Sequence, residues 1–185
     1  RFFERYGAAA QEIVPDLQWA LIEADGAWSQ SPQDCDLIVY AADAYTNAFV
    51  EVVTQIPVPR WAHTEDAGID GPFYDAMREK HAVLTHCPGA NAPEVAEVAF
   101  GFVLWSAKNL GELREQQREH RWQTLRLESL SDKTMLIVGL GAIGSRVAAY
   151  GKAFGMRVLG IRLSTGAVAN VDRQGTMADF RAFLP

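Results

Sequence analysis

Two rhythms of apolar residues alternate along the chain: compact runs, and longer stretches in which apolar side chains return at helical spacing. Residues 1–13 put Phe2, Phe3, Tyr6 and Ile13 on one face of a predicted helix, which Pro15 closes. Two compact runs follow, QWALIE at 18–23 and DLIVYA at 36–41, read as strands on either side of a polar loop. A helix is predicted over 47–54, a strand over 57–63 (PVPRWAH), a short helix over 72–80 and a strand over 81–86 (HAVLTH). Asn91 or Ala92 then caps a long helix with Pro93 in its first turn, where a missing N–H costs nothing. That helix is apolar nearly all round from 95 to 110, so burial on several sides is expected; from 111 to 123 it is polar and charged.

After a linker at 125–132, residues 134–162 (TMLIVGLGAIGSRVAAYGKAFGMRVLGIR) read strand, tight turn, helix, strand. Residues 164–175 are expected to be a loop leading to a short helix at 177–184. Strands alternating with helices at this spacing predict an α/β fold with parallel sheets. A second sheet is expected to end near Gly160 with uncovered apolar faces.

The turn in that segment carries the most specific chemistry. Gly139, Gly141 and Gly144 form G-x-G-x-x-G between a buried strand and a helix. The first glycine permits the turn, the second lets the backbone approach a pyrophosphate, and the third lets helix and strand pack closely. Leu140, Ala142 and Ile143 complete the loop, whose amides and helix dipole favour an anion. Arg162 stands at the end of the second strand, where an acidic residue would read the ribose 2′-OH of NAD. A guanidinium pairs instead with a 2′-phosphate, so NADP(H) is favoured over NAD(H), with Ser164 and Thr165 as extra donors.

Composition narrows the setting. The chain is 49% hydrophobic and 22% charged with a formal net charge of -6, which supports a core and argues against nucleic acid or an anionic membrane as the partner. Cys35 and Cys87 supply no disulfide framework, and no membrane span or signal segment is evident, so a cytoplasmic setting is expected. No metal-ligand spacing occurs. Neither His63 nor His86, near strand ends, nor His81 or His120 sits in a motif, and Cys87 cannot pair with His86 by adjacency because neighbours on a strand face opposite ways.

Taken in order, DAGID (66–70), LTHCPGANAPEVAE (84–97) running into the apolar helix, VGLGAIG (138–144) and AFGMRVLG (153–160) resemble the D-isomer-specific 2-hydroxyacid dehydrogenases. The likeness runs from about residue 36 onward and is strongest to the arginine-bearing branch that includes glyoxylate and hydroxypyruvate reductases using NADPH. It implies a flavodoxin-like substrate domain (1–91, its first strand missing), a connecting helix and linker (92–130) and the first part of a Rossmann domain (131–185). It implies hydride transfer with a small 2-keto or 2-hydroxy acid, whose carboxylate would be held by the amides of Ala67 and Gly68, with the loop at 42–45 lining the pocket. The helix region 93–110 would form a domain junction or homodimer contact. The family's arginine, histidine and carboxylate lie beyond residue 185, so no catalytic residue is assigned and the chain alone is expected to lack turnover. The rival readings are a corepressor-like dinucleotide sensor without turnover and, more distantly, an S-adenosylmethionine site.

Overall fold

The computed structural model describes residues 2–22, 27–40, 47–164 and 166–184, without the side chains of Phe2 and Ala48. The chain divides into two compact units, Arg1–Ala90 and Asn91–Pro185. Both are α/β, each with a sheet of parallel strands.

In the first unit, helix α1 (Phe2–Ile13) precedes β1 (Leu37–Tyr40), α2 (Asn47–Gln55), β2 (Trp61–Thr64), α3 (Pro72–Glu79) and β3 (Val83–His86), and the sheet order is β1-β2-β3. Alternation along the strands decides what is buried: Ile38, Tyr40, Ala62 and Thr64 point into the core, while Leu37 and Trp61 face out. Phe73, Tyr74 and Met77 of α3 and Phe49 and Val53 of α2 cover that inner face. Tyr40 stacks on Phe49 at 5.3 Å between ring centres. Pro72 is tolerated in the first turn of α3, after Gly71 with its φ of 120°.

The strand expected over 18–23 does not form among the described residues. Leu21 N–H donates to Ser29 Oγ at 2.9 Å, Ser29 N–H donates to the Leu21 carbonyl at 2.8 Å, and Ile22 makes one antiparallel bridge to Trp28. These backbone groups are satisfied by the loop that follows, not by the sheet. β2 starts at Trp61, not at 57, because Pro57 and Pro59 have no N–H to give a ladder.

The second unit contains α4 (Ala92–Ala107), α5 (Leu110–Arg118), β4 (Thr134–Val138), α6 (Ala142–Ala153), β5 (Arg157–Ile161), β6 (Arg173–Gly175) and a 3₁₀ helix, Met177–Phe183. The long helix is therefore two. Asn109 takes a left-handed conformation (φ 46°, ψ 40°), which asparagine tolerates, and breaks the helical hydrogen-bond run. Nor is α4 buried on several sides: Ala96 and Phe100 pack inward, Phe100 beside Leu130 and Met156, whereas Val98, Phe102 and Trp105 are exposed.

The loop expected at 164–175 ends in a strand, and the sheet order is β4-β5-β6. The sheet thus continues past Gly160, and Val158, Leu159, Gly160 and Ile161 are all buried, contrary to the uncovered face expected there. Asp172 makes this possible: its carboxylate accepts from Val158 N–H at 2.7 Å and from Lys152 Nζ at 2.8 and 2.9 Å, joining the start of β6 to β5 and α6. Among the described residues no helix is long and apolar enough to cross a membrane.

Candidate functional site

The three glycines sit between β4 and α6, and what a Cβ would meet differs at each. Gly139 has a φ of 104°, a region that side-chain-bearing residues avoid, and its N–H donates to the Ile161 carbonyl at 2.8 Å. At Gly144 a Cβ would overlap the carbonyl oxygen of Gly139 and lie 3.2 Å from Ile137 Cγ2, so helix and turn could not approach as they do. At Gly141 the φ is −83° and a Cβ would meet nothing within 4 Å. Among the described residues nothing requires a glycine there, and the space beside it is open.

Helix α6 begins at this open position. Gly141 supplies no side-chain cap, the first turn holds no acidic residue, and Ala142 and Ile143 are exposed. The first N–H groups and the positive dipole end are left to the solvent side, a setting that favours an anion without a basic side chain. Leu140 differs from its neighbours: its side chain is 3% exposed and packs with Ile137, Ala148 and Val158, so only its main chain borders the loop.

Arg162 directly follows β5 and is half-buried. Its N–H donates to the Gly175 carbonyl at 3.1 Å, which anchors the backbone at this point to β6. Among the described residues its guanidinium forms no ion pair, so the charge is available. Ser164 is exposed two residues on, and Thr165 lies outside the described residues.

In the first unit, the turn after β2 carries Ala67 and Gly68, both exposed. Its carbonyls are tied down: Asp66 accepts from Cys87 N–H at 3.2 Å, Ala67 is 2.9 Å from His86 Nδ1, and Ile69 accepts from Arg78 at 2.6 Å. Asp66 N–H donates to Thr64 Oγ1 at 3.1 Å. Among the described residues neither Ala67 N–H nor Gly68 N–H donates to a protein group. The turn is therefore held through its oxygens, with these two amides left for an outside acceptor. The loop at 42–45 lies outside the described residues.

His81 and His120 are exposed and take left-handed turn conformations just past α3 and α5. His63 is different, and no local motif marked it. Parallel register sets His63 opposite Thr85, and Cys87 lies two residues further on the same face. The His63 ring touches both, with Nδ1 2.8 Å from Thr85 Oγ1 and Nε2 3.6 Å from Cys87 Sγ. Asp172 was equally silent in the sequence, because its role depends on β6. The Lys152 ammonium, and then the Val158 N–H, hold its carboxyl below the ordinary carboxylate range.

Known proteins resemble the chain in sequence and in fold. Residues 100–185 match the family described as D-isomer specific 2-hydroxyacid dehydrogenase, NAD binding domain. A hydroxypyruvate reductase of Thermotoga maritima is 29% identical over 75% of this chain and 45% of its own length. A D-lactate dehydrogenase of Aquifex aeolicus, solved with NAD and lactic acid, has the same fold with a TM-score of 0.72 at 24% identity, covering 95% of this chain and 54% of that one. A family member from Xanthobacter autotrophicus, solved with NADPH and MES, gives a TM-score of 0.68 at 21% identity, over 98% of this chain and 56% of that one. The chain thus spans about half the length of these three relatives.

Proposed function

Given that this chain belongs to the D-isomer-specific 2-hydroxyacid dehydrogenase family, we propose that its protein transfers hydride between a nicotinamide dinucleotide and a small 2-keto or 2-hydroxy acid. The observation that carries the reading is the open space at Gly141, flanked by a glycine that only the turn requires and one that only the packing requires. With the Gly139 N–H committed to the Ile161 carbonyl, the amides from Leu140 to Gly144 hold the pyrophosphate at the mouth of α6, Leu140 contributing its main chain alone and Gly139 the turn. When bound, the nicotinamide supplies or accepts the hydride. The amides of Ala67 and Gly68 hold the substrate carboxylate, supported by the tethered carbonyls behind them. The exposed apolar face of α4, with Val98, Phe102 and Trp105, supports a homodimer contact in this helix.

Arg162 pairs with the adenosine 2′-phosphate, so NADP(H) is the preferred cofactor. That its guanidinium forms no ion pair among the described residues supports this assignment. Titration of the intact protein with NADPH and NADH tests it. Arg162→Ala should weaken NADPH binding by about 10- to 100-fold, the loss of a charge-assisted hydrogen bond, and leave NADH unchanged. Equal affinities in the parent protein, unaffected by the substitution, would remove the preference while leaving the dinucleotide site standing.

A further inference from the structure

We propose that Cys87 is a site of reversible thiol modification by low-molecular-mass disulfides, with His63 as the base that activates it. The warrant is a constellation on one face of the first sheet, built by register and not by sequence proximity. β2 and β3 run parallel with His63 opposite Thr85, so residues 61, 63, 85 and 87 share a side. Trp61 Nε1–H donates to Thr85 Oγ1 at 2.7 Å, and the same hydroxyl lies 2.8 Å from His63 Nδ1. The imidazole is thereby held by one nitrogen. Its other nitrogen, Nε2, is 3.6 Å from Cys87 Sγ, within hydrogen-bonding reach of sulfur.

This is the arrangement a nucleophilic thiol needs: an acceptor for its proton, and a third group that orients the acceptor. With Nδ1–H donating to Thr85, Nε2 is free to take the Cys87 proton. The thiolate attacks one sulfur of the disulfide, the S–S bond breaks, and a mixed disulfide forms on Cys87. The departing thiolate takes the proton from the imidazolium, so the protein is oxidised and half of the reagent is reduced. A free thiol reverses the exchange by the same route.

The chain carries its own control. Cys35 is comparably exposed, but burial and then the neighbouring Asp34 and Asp36 raise its thiol above the ordinary value, and no imidazole is recorded beside it among the described residues. Cys87 also lies close to the turn proposed to hold the substrate carboxylate, since its N–H donates to the Asp66 carbonyl.

The probe is 2-hydroxyethyl disulfide, which is neutral and avoids any bias from Glu65 and Asp66. Applied to the intact protein, with adducts located by mass spectrometry over time, it should modify Cys87 at least about tenfold faster than Cys35. His63→Gln should slow Cys87 by about tenfold and leave Cys35 unchanged; Thr85→Val, which frees the ring, should slow it in the same sense. An unchanged Cys35 rate certifies that the unit is still folded. Cys87 reacting no faster than Cys35 in the parent protein, or at an unaltered rate in a folded His63→Gln protein, overturns the proposal. Neither readout depends on turnover or on dinucleotide binding.

Discussion

Three glycines of one loop demand three different outcomes from mutation. At Gly144 the obstacle is backbone, the Gly139 carbonyl, which cannot swing aside as a side chain can. Gly144→Ala should therefore destabilise the second unit by about 3 kcal/mol or more, through overpacking, in a denaturant melt. At Gly139 there is room but the wrong backbone region, and Gly139→Ala should cost roughly 1–3 kcal/mol. A melt in which the two substitutions had no effect would mean that the turn is looser than described. Gly141 has neither obstacle, so its substitution should spare stability and affect only what binds. The spacing of the glycines was legible before any fold was known, because each conformational need has its own residue requirement. The pairing of His63 with Cys87 was not, because it rests on the register of two strands that no local pattern specifies.

At the scale of elements, Asp172 is the staple that makes β6 a strand and not a loop. One carboxylate receives α6 through Lys152 and β5 through Val158 N–H. Its folded-state affinity for a proton is lowered, so the unfolded chain takes up the proton first as the solution becomes acidic. The stabilisation is fully present above the ordinary carboxylate value, about pH 4, and is lost as pH falls from there through the folded value. Asp172→Asn should lower the melting temperature of the second unit at pH 7 and leave a smaller difference from the parent protein near pH 3, measured by thermal melts at both pH values. A difference that grew on acidification would contradict this sign. Elements with a strong apolar rhythm, such as β4, α6 and β5, were legible to within a residue or so. Those decided by one side chain's partner were not: Asp172 ties the start of β6 to β5, Asn109 breaks the long helix, and Ser29 pairs with Leu21 in place of a sheet neighbour.

For the whole molecule, the sequence carried the α/β class and the family, since both depend on elements in order and on a few irreplaceable turn residues. It did not carry which apolar face of α4 would be left exposed, because helical pattern alone cannot say what lies opposite. Each unit brings one half of the proposed chemistry: the first a turn held by its carbonyls, the second a glycine loop opening onto α6. The account depends most on the second. The direct test is calorimetric titration of NADPH into the intact protein and into Gly141→Val, with thermal melts alongside. The account predicts saturable binding by the parent, a loss of at least about a hundredfold in the variant, and melting temperatures that agree. A Gly141→Val protein that melts like its parent and binds NADPH just as tightly would contradict it.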